Sequence, residues 1–417
     1  MGLASQIRVI VRSSPQRFRL AGRAIAAVLA WVAGPLPGAA ATRADVLADF
    51  GLHDVQSFDL YRQGGALHAL IAARGADGGR HRLMYVRSRD DGASWGTPVA
   101  LPEPPSGGPI ARRGNDAQLA AAGRNLVAAW QGGGEIPGAG PMVTAYSGDG
   151  GVHWTLADSP AAGSDPTRNQ SYLDLVADGA GRFHLVWLDD REEKGDTQGL
   201  HYAASSDGGR TWVGQTTIDD SVCTCCWNRL FLLPNGELSV LYRDVEPHDM
   251  TLAAQRRGSG DWQRLASVGQ FNWQFSGCPH CGGGLAAQPG GGRNLLHGVV
   301  WTGQQTTPGL FYLRSRDRGK HWKPLLRIGD GHDRQGDVAA RGSNRVALVY
   351  AEESASGSAI RVVQSDNAGT GWSEPRTLTD PGAIADHPRI LVTTQGFRVF
   401  WTERRDRVGK VLVTAML

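Results

Sequence analysis

The sequence predicts an all-β protein, a β-propeller of four-stranded antiparallel blades, and three observations predict it. Beyond residue 50 the chain runs in short stretches rich in Val, Leu, Tyr and Trp, cut by Gly, Asn-Gly and Asp-Gly, with little helical periodicity. A string of the form Ser-x-Asp-x-Gly-x-(Thr/Ser/His)-Trp recurs at four places. Upstream of each lies a second unit, an apolar strand, a Gly or Asn-Gly turn and a strand that ends in an aromatic. A unit of this size cannot bury its apolar faces alone, so repeated copies pack side by side and close into a ring.

Residues 1–41 stand apart from the repeats. They carry Arg8, Arg12, Arg17, Arg19 and Arg23 with no Asp or Glu, then an apolar run over 24–33 and small residues around Ala39, Ala40 and Ala41. That order predicts a secretory signal peptide over 1–41, with an uncleaved anchor as the alternative, and hence a periplasmic or secreted protein. The apolar run is short for a membrane span, Pro35 and Pro37 interrupt its extension, and no Arg-Arg pair marks a twin-arginine signal. Cleavage would remove five positive charges and no negative ones, taking the formal charge from +3 to −2. The remaining Arg and Lys are dispersed among carboxylates, which argues against a nucleic-acid partner, and no later segment has the length and apolarity of a membrane span. Nothing calls for a nucleotide cofactor. A single propeller domain is expected over 45–417.

Within it, the second strands end in order at Ile71, Trp130, Trp187, Tyr242, Trp301, Tyr350 and Trp401, roughly 55 residues apart. Seven copies predict seven blades, with six as the alternative. The last copy stops after a third strand over 411–415, so the segment 45–52 is expected to supply the fourth and close the ring by joining the two ends of the chain.

The recurring string stands at Ser88 to Trp95, Ser147 to Trp154, Ser205 to Trp212 and Ser315 to Trp322. The stretch from Asp366 to Trp372 reads as a degraded copy shifted by an insertion, and 257–262 keeps only the turn glycines and the Trp. Chemically the string is a hairpin turn: Asp accepts backbone N–H groups, Gly takes the positive-φ position, and Trp plugs the space beneath. These residues read as structural. They resemble the Asp-box (BNR) repeats of the sialidase superfamily, whose structural carboxylates would here be Asp90, Asp149, Asp207, Asp317 and Asp366. The resemblance covers most of the chain after residue 41. It implies the propeller fold more strongly than an activity, because one fold hosts many functions.

In such a blade the innermost strand starts on the face to which the second strand returns, whereas the turn between the third and fourth strands lies on the opposite face. First-strand starts and second-strand ends therefore surround one channel mouth, and polar residues gather there, among them His53, Asp54, Arg113, Asp116, Arg243, Arg334, Asp386, His387 and Arg404. The bland reading is that rims are polar in any case.

All five cysteines fall at the corresponding place in two adjacent copies, as Cys223, Cys225 and Cys226 and as Cys278 and Cys281, the latter flanking His280. On an extended strand Cys223 and Cys225 share a face, and Cys226 points away unless the backbone turns. Three chemistries fit. Structural disulfides suit an exported protein but leave one thiol over. Five thiolates with the imidazole of His280 would hold a soft metal, copper ahead of zinc because sulfur dominates the set. Thiol redox chemistry is the third, although Gly282, Gly283 and Gly284 make a poor helix start for lowering a thiol pKa. Trp227, Trp273 and Phe275 are expected to shield the cluster.

The sialidase resemblance implies a (Phe/Tyr)-Arg-Ile-Pro motif, three arginines on the substrate carboxylate, an Asp acid and a Tyr nucleophile paired with a Glu. The nearest string, Pro109, Ile110, Ala111 and Arg112, departs from that order. Arg113, Arg243, Arg334 and Arg404 could form the clamp, with Asp116 or Asp54 as the acid. Tyr172 lies in the first strand of the third blade, and Tyr242 and Tyr350 read as core aromatics. The resulting expectation is an exported sialidase-like propeller with a soft-metal site at the channel mouth between the fourth and fifth blades, taking a metal, small-molecule or glycan ligand or a periplasmic protein. The alternatives are an exo-α-sialidase or other glycoside hydrolase using two carboxylates at the same face, and a disulfide-stabilised binding propeller.

Overall fold

The computed structural model describes residues 43–417 except 48–49, 76, 106, 162–166, 196, 257–258, 275–279, 291–293, 330, 356 and 407–408, and of Glu192 the backbone alone. Twenty-eight strands form seven sheets of four, each antiparallel, so the seven-blade expectation holds and the six-blade alternative does not. The inner strands are β2 (His53–Gln63), β6 (Gln118–Ala122), β10 (Gln170–Ala177), β14 (Arg229–Leu232), β18 (Gly283–Ala287), β22 (Arg334–Arg341) and β26 (Ala385–Val392). The seventh blade takes its outer strand from the other end of the chain: β1 (Arg43–Asp45) pairs with β28 (Gly409–Met416), Arg43 opposite Ala415 and Asp45 opposite Val413. The closing strand is thus 43–45 rather than the 45–52 expected. Leu47 and Leu52 are instead buried with Phe58 and Phe400, because their apolar side chains fill the seam between the first and last blades.

The aromatic strand ends form the core. Trp130, Trp187, Tyr242, Trp301, Tyr350 and Trp401 are all buried, and the Trp187 and Trp401 indoles donate to Asp189 and Glu403, both at 3.1 Å. Burying a Trp costs little when its one polar hydrogen finds an acceptor. Each repeated turn has the same geometry. In the second blade Ser147 Oγ donates to Asp149 (2.8 Å) and accepts from the Gly151 N–H (2.9 Å), while Asp149 accepts from the His153 N–H (3.0 Å). The sixth blade corrects the expected register: Asn367, not Asp366, takes the carboxylate's place, accepting from Ser365 Oγ (2.9 Å) and the Gly371 N–H (2.7 Å). There is no insertion. An amide oxygen accepts these bonds as a carboxylate does, and Asp366 turns outward toward Arg345 at 3.6 Å.

Two devices in the inner strands build the opposite face. Asp59, Asp174 and Asp337 accept from the Leu119, Leu230 and Ile390 N–H groups of the following blade and stitch neighbours together around the channel. The first, third, sixth and seventh inner strands also begin with a bulge, where Asp54, Tyr172, Gln335 and His387 sit at φ of 50°, 52°, 55° and 59°. A bulge re-aims the side chains beside it, and here all four lie at the channel mouth.

Candidate metal centre

Cys223 ends the outer strand β13 (Val213–Cys223) of the third blade, Cys225 and Cys226 follow in the link to the fourth, and Cys281 lies in the link to the fifth. A turn at 224–225 ends the extended geometry that would have sent Cys226 to the other face. Its sulfur therefore returns to 3.4 Å from that of Cys223, which lies 3.7 Å from Cys225; Cys281 reaches Cys226 at 3.6 Å. All four are buried free thiols, since a disulfide needs sulfurs about 2.05 Å apart. Cys278 and Phe275 lie outside the described residues.

Three of the sulfurs, those of Cys223, Cys225 and Cys226, lie within 4.8 Å of one another. A circle through three points so spaced has a radius of about 2.0–2.4 Å, which brackets the metal–thiolate bond of about 2.3 Å. A metal ion can therefore sit among the three sulfurs without their moving. Cys281 adjoins only Cys226 and does not belong to that mutual set.

The surroundings keep water out. The four thiols belong to one apolar cluster with Tyr172, Leu230, Tyr242 and Trp273. Trp227 packs against Gly114 and Gly282, at both of which a Cβ would overlap its ring, and its backbone N–H donates to the Cys281 carbonyl at 3.2 Å. Trp273, buried in the same cluster, carries the Arg243 guanidinium 4.0 Å from its ring centre, while Arg243 hydrogen-bonds Cys223. A buried guanidinium facing thiols favours thiolate over thiol. Hydrogen bonding with Cys225 and Cys226, with that cation beyond them, holds the Cys223 thiol far below its ordinary range, whereas burial pushes Cys226 up.

His280, at φ 45°, is exposed at the edge of the cluster, with its Nδ1 3.4 Å from the Tyr172 hydroxyl. Burial pushes Tyr172 up to about 12, against a hydrogen bond from Arg112. On the outer side of this layer a pocket of about 770 Å³ opens at the channel mouth, lined by Asp54, Arg112, Arg113, His280, Arg404 and Lys410.

The structure does not bring the four expected clamp arginines together. Arg113 pairs with Asp386 (2.7 Å) and Arg404 faces the same pocket, but Arg243 is buried by the cysteines and Arg334 lies over Trp301, 5.5 Å from the ring centre. Asp54 is held by Arg74 and His81, each at 3.1 Å. Asp116 is buried below the mouth between His387 (3.1 Å) and Arg389 (3.2 Å), and although burial raises its pKa those two neighbours hold it low overall. Sequence reasoning missed Arg229, which lies in the channel with Asp59 and Asp174 around a cavity of about 200 Å³. Burial pushes Asp174 up to about 6, against the pull of Arg229. The spacing carried a signal: Asp59, Asp174 and Asp337 precede their blades' Ile71, Trp187 and Tyr350 by 12, 13 and 13 residues.

No protein-family model matches the chain, and no curated protein does. Solved structures do. An ulvan lyase described as a new family of polysaccharide lyase aligns at TM-score 0.58 with 12% identity, over 89% of this chain and 95% of that one. YCF48 bound to a D1 peptide aligns at 0.54 with 15% identity, over 92% and 97%. A protein of unknown function from Dyadobacter fermentans aligns at 0.51 with 16% identity, over 79% and 99%. At these identities the likeness is one of fold.

Proposed function

We propose that this chain is an exported, sialidase-like Asp-box propeller that binds one soft metal ion through Cys223, Cys225 and Cys226. The observation that carries the reading is the convergence of three buried sulfurs on a circle of metal–thiolate radius. Arg243 supplies the countercharge and Trp227 the cover. Copper(I) is favoured over zinc: three thiolates around a planar centre satisfy copper(I), whereas a structural zinc site asks for a fourth ligand, and Cys281 touches only Cys226. The donor set, buried and of sulfur alone, binds and withholds the ion, which suits the handling of metal.

The test is metal analysis of protein purified from the periplasm, paired with thiol counting. One equivalent of copper and thiols that become reactive only after chelation are expected. Two intact disulfides and no metal would overturn the reading and leave a disulfide-stabilised binding propeller.

A glycan-processing reading has one observation in its favour, the basic pocket at the same mouth. The dispersal of the four arginines and the burial of Asp116 weigh against sialidase action, and release of product from a fluorogenic sialoside would restore it.

A further inference from the structure

Resting on the metal reading, we infer that the ion reaches the cysteines as an anionic thiolate complex, not as a free cation, and that the pocket beside His280 is where this donor docks. The buried thiols need an entry route. The pocket supplies one, because His280 and Arg112 line it on one side and contact the cysteine layer on the other: the His280 backbone hydrogen-bonds Cys225, and Arg112 hydrogen-bonds Tyr172.

The charge of this route is the deciding observation. Its two carboxylates are already engaged, Asp54 by Arg74 and His81, and Asp386 by Arg113 with Lys410 at 3.9 Å. Arg404 has no carboxylate partner among the described residues, and Arg112 turns to the Tyr172 hydroxyl. Four cations, Arg112, Arg113, Arg404 and Lys410, against two carboxylates thus leave the mouth net positive beside a site for a positive ion. Such a field repels an aquated copper or zinc ion and raises the local concentration of an anion. The apolar floor, Val55, Ile110 and Ala111, suits the aliphatic body of a carboxylate-bearing thiol.

Transfer then needs only ligand exchange. Each bond from copper to a donor sulfur breaks as one to a cysteine sulfur forms; copper stays in the +1 state, and the displaced donor thiolate takes the proton released by the cysteine.

Two donors of opposite charge test this on the reduced, metal-free full chain: the anionic copper(I)–glutathione complex and the cationic tetrakis(acetonitrile)copper(I). In stopped flow at low ionic strength, the double variant Arg404→Glu with Lys410→Glu should slow uptake from the glutathione complex by about tenfold or more and speed uptake from the cation. Both effects should shrink at high salt, with the equilibrium affinity unchanged. The same charge change on the far face, Arg124→Glu with Lys320→Glu, should alter neither rate. Rates that the pocket reversals leave alone, or slow equally for both donors, overturn the delivery route while the metal site stands. A wild-type chain that takes copper from neither donor refutes the metal reading itself, and the delivery route with it.

Discussion

Cys226 is the sulfur on which the metal site turns, 3.4 Å from Cys223 and 3.6 Å from Cys281, and Cys226→Ser is the sharpest perturbation of it. The substitution keeps the size and removes a soft donor. Cys223 and Cys225, 3.7 Å apart, would remain. Two-coordinate copper(I) prefers a linear arrangement, which at a bond of about 2.3 Å needs sulfurs about 4.6 Å apart. The pair would have to separate by about 0.9 Å inside a packed core that resists such movement. Copper(I) affinity should therefore fall at least about 100-fold, beyond the loss usual for a supporting residue. The buried hydroxyl costs about 1–3 kcal/mol of stability, so the chain still folds. The assay is competition against a colorimetric copper(I) chelator under reducing conditions, with circular dichroism as the folding control. X-ray absorption of the wild-type complex should show three sulfurs at about 2.3 Å. Cys281→Ser should weaken binding far less. Wild-type affinity in Cys226→Ser, or two sulfurs in the absorption spectrum, would refute the geometry.

Three further predictions concern the shell and the frame. Gly282→Ala should displace Trp227, so that a neutral alkylating reagent modifies the metal-free thiols faster and tryptophan emission shifts to the red; unchanged rates would show that the indole is not the cover. Buried His68 and His297 have pKa values lowered to about 4 by burial, with Arg87 and Arg314 adding to it, so the folded chain keeps them neutral while the unfolded chain protonates near 6.5. Stability present above pH 6.5 is then lost as pH falls toward 4, by about 3 kcal/mol for each histidine, and His297→Gln should flatten the denaturation midpoints over that range relative to wild type. Ser147→Ala strands the buried Gly151 N–H and should cost about 1–3 kcal/mol in chemical denaturation, whereas Asn367→Asp, which keeps every acceptor of its turn, should be near neutral.

The frame was legible because its determinants are local. A Ser, an Asp, a Gly and a Trp within eight residues make a turn whose partners are all in the same string, and alternating apolar strands announce themselves by period. Even there the sixth blade escaped, since a pattern that demands Asp passes over Asn367, which bonds identically. The site was legible only in part. That the cysteines converge followed from their equivalent positions; that Cys226 turns back to Cys223, that Arg243 faces sulfur and not substrate, and that Tyr172 and Arg112 join the cysteine layer to an outer pocket depend on a bulge and a turn with no distinct residue signature.

By itself, then, the sequence determined the repeat, the count of blades and the face on which the cysteines would meet, because each rests on interactions a few residues apart. The tertiary structure decided which sulfurs share a centre, which cations lost their carboxylates and what closes over the thiols. The first follows from the turn at 224–225, and the others from segments distant in sequence, as Trp227 over Gly114 and Arg113 on Asp386, which meet only when the ring closes and the inner strands pack around one channel.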